Sequence, residues 1–378
     1  MLCRALTLVP AAVVATYTVP KPNGTYGVSL VDKQLVDLEL SDPYLPLPHR
    51  RVEISVIAPM EANSCRPVTQ PYMPAAQSSQ FWEQALANMT GVSFEGTISQ
   101  TELTLCEPPV NGSNSTSPLI LFAPGAGFPR QLYSILLTSV VAKSGYTIVA
   151  FEQPGYAEFE TFPNNTTEVG QINVTNGNGL GVLVQDVSFI LDTFNISNRS
   201  MLAAWGSSRP AAMFGHSEGG AVTAASLLVE PHRLLGGINL DGAFYGAPLL
   251  ANASIKQPFA ILSSSIHDFS VSPSWPVVWS HLQGDKWQIQ LNDSEHATYG
   301  DFPFLADLWG IREKTHGLVD ELVGGLLGQE AIDVVGNLVK AFFDFVFGKA
   351  PVSNVVNTAE AEQGVWKVQN VTIVRSFL

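Results

Sequence analysis

The sequence is poor in charge, in basic residues and in cysteine. Charged residues make up 14% of the 378 residues and hydrophobic ones 46%. That balance argues against bulk disorder and allows a large buried core. Lys and Arg number 19 against 33 Asp and Glu, for a formal net charge of −14. Little is available to neutralise phosphates, which excludes nucleic acid as an expected partner. The same deficit disfavours electrostatic attraction to anionic membranes. No run of eighteen or more apolar residues is free of charge, so no membrane span is expected. No internal repeat is present.

There are 3 cysteines. Cys3 lies in a segment, 1–15, that reads as a secretory signal: Arg4 is its lone positive residue, Ala5 to Ala15 is mostly apolar, and Val13 and Ala15 suit a cleavage site. The expected mature chain is one domain, 16–378. Cys65 and Cys106 remain as an even pair on an oxidising route, and a Cys65–Cys106 disulfide is expected, contributing roughly 3–4 kcal/mol by loop-closure arithmetic. Asn-x-Ser/Thr triplets begin at Asn23, Asn88, Asn111, Asn114, Asn164, Asn165, Asn173, Asn195, Asn198, Asn252, Asn292 and Asn370. Most sit in polar surroundings where a glycan is tolerated, which supports a secreted, extracellular glycoprotein.

Along the chain, Gly27–Val31 and Leu35–Leu40 alternate like a strand pair, and Arg51–Ala58 reads as a third strand. Glu61–Pro74 reads as a long loop and Gln80–Asn88 as a short helix. Continuous apolar runs then recur: Pro118–Ala123, Tyr146–Phe151, Ala211–Phe214, Leu235–Leu240, Pro258–Ser263 and Lys286–Leu291. Such runs suit strands buried on both faces of a parallel sheet. Helical stretches separate them at Arg130–Lys143, Leu180–Phe194 and Gly220–Glu230. Gly317–Gly348 reads as helical with breaks, and Val365–Val374 as a terminal strand. This alternation predicts an α/β fold: one mostly parallel central sheet with helices on both faces.

One stretch carries chemistry. Gly215-His-Ser-Glu-Gly219 stands between the Ala211–Phe214 strand and the helix that Pro231 ends. Strand, sharp turn with a serine, helix is the order of a nucleophile elbow. The five-residue pattern alone is weak, and its bland alternative is a glycine-rich turn with an idle serine. The flanking elements strengthen it. A serine hydroxyl needs a base and a group to orient that base. His296 follows the Lys286–Leu291 strand and can serve. His216 is adjacent to Ser217 and points elsewhere, while His49, His232, His281 and His316 lack a strand-end position. Asp241 and Asp268 each end a strand, each preserves the order Ser, Asp, His, and spacing does not choose between them. An oxyanion hole needs two N–H donors. Glu218 supplies one, and the turn Gly125-Ala-Gly127 can supply the other. Pro124 has no N–H.

These residues resemble a family: the plasma-type platelet-activating factor acetylhydrolases and their secreted fungal relatives. The matching segments are Leu121-Phe-Ala-Pro-Gly-Ala-Gly-Phe-Pro-Arg-Gln-Leu-Tyr-Ser134, Gly215-His-Ser-Glu-Gly-Gly220, Ile238-Asn-Leu-Asp-Gly-Ala-Phe244, Gln257-Pro-Phe-Ala-Ile-Leu262, Ser294-Glu-His-Ala-Thr-Tyr-Gly-Asp-Phe302 and Ala341-Phe-Phe-Asp-Phe-Val-Phe-Gly348. The resemblance covers about 71–348. The resemblance implies an α/β-hydrolase that removes short or oxidised sn-2 acyl chains from phospholipids without a metal or other cofactor. It selects Asp241 over Asp268 and maps the hole donors onto Ala126 and Glu218. The chain departs from the family at Pro124, often His there; at Glu218, where a charge replaces a bulky apolar residue; and at Gly242, where Ala would follow the acid.

The expectation is therefore a secreted serine esterase with Ser217, Asp241 and His296 as its catalytic set, acting on a small-molecule or lipid ester of short acyl length. A cutinase-like or polyester hydrolase is the alternative among enzymes. A catalytically inactive binding protein of the same fold is the alternative of another class. For Gly317–Gly348, packing on the sheet is the first reading and an interfacial lipid contact the second.

Overall fold

The computed structural model describes residues 16–43, 45, 47–109, 117–152, 157–162, 164–170, 179–195, 211–246 and 254–374. The expected signal segment 1–15 lies outside them. Nine strands form the central sheet: β1 (Gly27–Asp37), β2 (Arg50–Met60), β3 (Leu119–Ala123), β4 (Thr147–Glu152), β5 (Ala211–His216), β6 (Leu234–Leu240), β7 (Phe259–Ser263), β8 (Lys286–Leu291) and β9 (Trp366–Thr372). Their spatial order is 1-2-4-3-5-6-7-8-9. Neighbours from β4 to β8 run parallel. The β1–β2, β2–β4 and β8–β9 pairs are antiparallel. Every residue of β3, β4, β5 and β7 is buried. Buried backbone needs a complete hydrogen-bond ladder, and apolar runs without alternation can supply one only with a strand on each side and helices above and below.

Two apolar layers cover the sheet. On one face lie α2 (Ser134–Ser144) and α7 (Gly328–Val346), with Leu136, Val140, Leu338 and Phe342 in a common core. On the other lie α3 (Gly179–Asn195) and α4 (Glu218–Val229), with Val187, Ile190, Ala221 and Ala225. A column of aromatic rings runs through the first layer below the site. Phe214 packs against Phe122 at 4.8 Å and against Phe343 at 5.8 Å, and Phe122 meets Tyr133 at 4.8 Å. Each such ring removed from water contributes about 1.5–3 kcal/mol.

Three sequence expectations change. Gly27–Val31 and Leu35–Leu40 are not a pair; one eleven-residue strand runs through the polar Asp32-Lys-Gln34 and pairs with β2 from Gly27↔Met60 to Asp37↔Arg50. An edge strand tolerates polar residues because one side faces water, and here the Gln34 side chain also donates to Glu53. The loop 61–74 contains a strand, Pro67–Pro71, which joins Tyr17–Val19 and Thr101–Cys106 in a small separate sheet. The short helix is longer, α1 (Ala76–Thr90). A disulfide joins Cys65 to Cys106, with Cα atoms 5.0 Å apart.

By length and composition the segment 320–346 is apolar enough to cross a bilayer. It is broken between Asp320–Val323 and α7. From α7, Val335, Leu338, Val339, Phe342 and Phe343 are buried, which is the packing reading. Just before α7, Leu318, Leu322 and Leu327 are exposed.

Candidate active site

The elbow is built by close approach. Ser217 has φ 54° and ψ −120°, a conformation costly for a residue with a Cβ. Its neighbours leave no space. A Cβ on Gly215 would lie 2.3 Å from the Gly219 backbone, one on Gly219 2.1 Å from the Ala123 carbonyl oxygen, and one on Gly220 2.0 Å from Asn239 Oδ1. Three glycines therefore let β5, β3 and α4 close around the turn. The Ser217 N–H donates to the Leu240 carbonyl at 2.9 Å, which ties the elbow to the end of β6. Among the described residues the Ser217 hydroxyl makes no hydrogen bond.

The end of β6 holds the first of the two candidate acids. Asp241 is buried and has φ 57°. The Asn239 side chain clamps this turn, donating to the Gly242 carbonyl and accepting from the Gly242 N–H, both at 2.7 Å. A Cβ on Gly242 would sit 1.9 Å from the Ser217 carbonyl oxygen. Glycine after the acid, a departure from the family pattern, is thus what this close contact requires. Asp241 Oδ2 accepts from His296 Nδ1 at 2.7 Å and from His267 Nδ1 at 2.8 Å. Ser264 donates its N–H to Oδ1 at 2.7 Å and its hydroxyl to Oδ2 at 2.9 Å. Burial alone would push this carboxyl up; the hydrogen bonds from His267 and His296, with their charge, hold it down at about 2.

Asp268 does not approach His296 through any hydrogen bond. Its Oδ1 accepts from the Ser270 N–H, the Ser270 hydroxyl and the Val271 N–H, closing a local turn.

His296 sits on a short segment anchored from both ends. Thr298 Oγ1 accepts from the Glu295 N–H at 2.8 Å and donates to the Val323 carbonyl. The Tyr299 hydroxyl donates to the Ser263 carbonyl at 2.8 Å. Asp301 accepts from the Ile135 and Leu136 N–H groups at the start of α2 and from the Tyr72 hydroxyl, each at 2.9 Å. Fixed groups on three elements hold the loop, which gives Glu-His-Ala-Thr-Tyr-Gly-Asp a physical meaning.

His216 is buried, and burial pushes its pKa down to about 3, so it stays neutral. It joins the two halves of the site. The Gly125 N–H donates to Tyr133 Oη at 3.0 Å, Tyr133 Oη meets His216 Nδ1 at 2.8 Å, and His216 Nε2 meets the His296 carbonyl at 2.9 Å. A carbonyl only accepts, so Nε2 carries the hydrogen and Tyr133 donates to Nδ1. Sequence reasoning discarded His216 as a base and missed this link.

The turn after β3 is closed by the Phe128 N–H to the Gly125 carbonyl at 3.1 Å, with Gly127 at φ 77°. Arg130, just past it, is buried and donates its backbone N–H to Glu152 at 2.6 Å and its Nε to Ser55 at 2.8 Å, and its guanidinium pairs with Glu152. Neither the Ala126 N–H nor the Glu218 N–H has a hydrogen-bond partner among the described residues. Glu218 begins α4, where a free N–H is expected.

Glu218 does not bring the charge its sequence position suggested. Its side chain is buried, one carboxyl oxygen has no partner among the described residues, and burial pushes its pKa up to about 8. An acid whose folded pKa is raised stabilises the fold fully below its unfolded value, here 4.5, and loses that contribution as pH climbs through about 8. Glu218→Gln cannot ionise. It is expected to match the parent in Tm at pH 4 and exceed it by several degrees at pH 9. Equal melting temperatures at pH 9 would mean that the carboxylate forms without cost.

No protein-family model matches the chain. Among solved structures it is similar to a ferulic acid esterase from Streptomyces cinnamoneus, with a TM-score of 0.69 and 21% identity over 87% of this chain and 93% of that one. The chain has the α/β-hydrolase fold. Among curated proteins the chain is 26% identical, over 90% of its own length and 91% of the other, to an Arthroderma benhamiae protein named "Probable 1-alkyl-2-acetylglycerophosphocholine esterase". That name agrees with the family resemblance of the sequence segments, and the similarity reaches well beyond residues 71–348. Carboxylic ester hydrolysis is the activity it supports.

Proposed function

We propose that this α/β-hydrolase is a secreted, glycosylated serine esterase that removes short acyl groups, such as the sn-2 acetyl group of phospholipids resembling platelet-activating factor. The observation that carries the reading is the 2.7 Å hydrogen bond between Asp241 and His296, together with the strained Ser217 turn and the Ala126 and Glu218 N–H groups, which have no hydrogen-bond partner among the described residues. With Nδ1 donating to Asp241, His296 keeps Nε2 free to accept a proton. Ser217 Oγ attacks the ester carbonyl as its proton passes to Nε2. The oxyanion is received by the N–H groups of Ala126 and Glu218. The bond to the alcohol oxygen breaks and that oxygen takes the proton from Nε2. Water then attacks the acyl-enzyme, gives a proton to Nε2, and Ser217 recovers it as the acid leaves.

An apolar pocket beside the site supports a short acyl group. It is lined by Leu86, Met89, Phe94, Phe128, Ala297, Phe302 and Trp309 among others, and holds about 80 Å³. Phe128 follows the turn that offers Ala126, and Ala297 follows His296. The exposed Met89 and Leu322 stand at its lining. Secretion is favoured by the 1–15 segment and by exposed sequon residues: Asn23, Asn88, Asn164, Asn165 and Asn370 are all exposed. Asn292 is half-buried, with its side-chain nitrogen bonded to the Gly364 carbonyl. Asn111, Asn114, Asn173, Asn198 and Asn252 lie outside the described residues, as does the side chain of Asn195.

A substrate panel tests the reading. Acetyl phospholipid and short-chain phenyl esters are expected to give kcat/KM at least tenfold above a long-chain diacyl phospholipid in vesicles, because each methylene drawn from the bilayer costs about 0.8 kcal/mol. A higher value on the long-chain lipid would overturn the short-acyl preference. A polyester or an aromatic cinnamoyl-type ester as the best substrate would replace the phospholipid reading.

A further inference from the structure

Asp241 serves two histidines, and only one of them has a role in the mechanism above. His267 lies just past β7. In the commoner hydrolase layout that strand end carries the triad acid; here it carries a donor to an acid held on the neighbouring strand. His267 Nδ1 and His296 Nδ1 reach the same carboxylate oxygen, at 2.8 and 2.7 Å. An ionised carboxylate only accepts, so both rings carry hydrogen on Nδ1. The position of His267 is built. Its N–H donates to the Ser264 carbonyl at 3.3 Å, Gln290 donates to its own carbonyl at 3.3 Å, and its ring stands edge-on to the buried Trp275 at 6.3 Å. The two imidazoles lie 5.9 Å apart in a T-shaped arrangement. The side chain of His267 is 27% exposed, so Nε2 can exchange protons with solvent.

We propose that His267 is a positioning residue for the catalytic set, a second N–H donor that fixes the plane of the Asp241 carboxylate and draws off part of its charge. This rests on the Ser217–His296–Asp241 reading. Asp241 must attract the proton on His296 Nδ1 strongly enough to orient the ring, but not so strongly that His296 is held as imidazolium. A donor shared on Oδ2 weakens that pull. The hydrogen bond to Asp241 also raises the pKa of His267 itself, against the opposing effect of burial and with help from the charges of Asp241, Glu295 and Asp268. As pH falls, His267 gains charge beside Asp241 and weakens the pull further, so that activity extends to lower pH.

The test compares His267→Leu, which removes the donor, with His267→Asn, whose side-chain amide can restore an N–H near the Nδ1 position. Both are measured in the full chain on p-nitrophenyl acetate from pH 4.5 to 9, with Tm and fluorophosphonate labelling of Ser217 alongside. His267→Leu should lower kcat at the optimum about tenfold, the loss of one charge-assisted hydrogen bond. KM should hold, and the acidic limb of kcat/KM should move to higher pH. His267→Asn should recover most of kcat. A lowered Tm with the acidic limb unmoved in both variants would reduce His267 to a structural role and overturn the proposal. So would parental activity in His267→Leu. Should the leucine variant fail to fold, the asparagine variant decides: its acidic limb must lie above that of the parent, since it keeps the donor but cannot gain the charge. A parent chain that neither labels at Ser217 nor hydrolyses the ester would defeat the catalytic reading itself, which is a different result from an active parent indifferent to His267.

Discussion

Ser217→Ala is expected to lower kcat for ester hydrolysis by a factor on the order of 10⁶, with the fold intact. The strain at the elbow resides in the backbone and in the presence of a Cβ. Alanine keeps that Cβ, so the φ of 54° costs the variant no more than the parent. The hydroxyl makes no hydrogen bond among the described residues, so its removal strands no partner. Activity should vanish while Tm stays within about a degree of the parent, as for a surface change of less than 0.5 kcal/mol. Near-normal hydrolysis by the variant would place the nucleophile elsewhere.

Asp241→Asn is expected to cost on the order of 10⁴ in kcat, and Asp268→Asn almost nothing. The geometry gives the reason. The Ser264 N–H donates to Oδ1 of Asp241, so in the variant the amide oxygen must remain there. The amide nitrogen then faces both imidazoles at the former Oδ2. It can only donate, and His296 must turn its Nδ1 into an acceptor and move its hydrogen to Nε2. That is the nitrogen which must be free to take the proton of Ser217. Asp268 binds only its own turn, and its amide would still cap Ser270. A crippled Asp268→Asn with an active Asp241→Asn would restore the commoner layout, with the acid after β7.

Much of the sheet could be read from the sequence because its central strands are buried on both faces. Leu119–Ala123 is apolar throughout, and Phe259–Ser263 is apolar up to its last residue. The edges were harder. Strand β1 carries Asp32, Lys33 and Gln34 in its middle, which looks like a turn until the partner strand is known. Pro67–Pro71 has proline at both ends and no buried residue, so nothing local marks it as a strand. In the site, Ser217 and His296 stand in short segments with distinctive neighbours. The choice between Asp241 and Asp268 depends on which strand end faces His296, a relation between β6, β7 and β8 that spacing does not contain. Glu218 reads as a charge because burial is invisible in a single sequence. His267 left no motif at all; the only signal was its place at a strand end, shared with the neighbouring Asp268.

The central claim is that Ser217 is an activated nucleophile. Reaction of the native chain with a fluorophosphonate, followed by peptide mapping, tests it most directly. The expected result is one stoichiometric adduct on Ser217, lost in His296→Ala and retained in Asp268→Asn. No adduct, or an adduct on another serine with Ser217 unmodified, would contradict it.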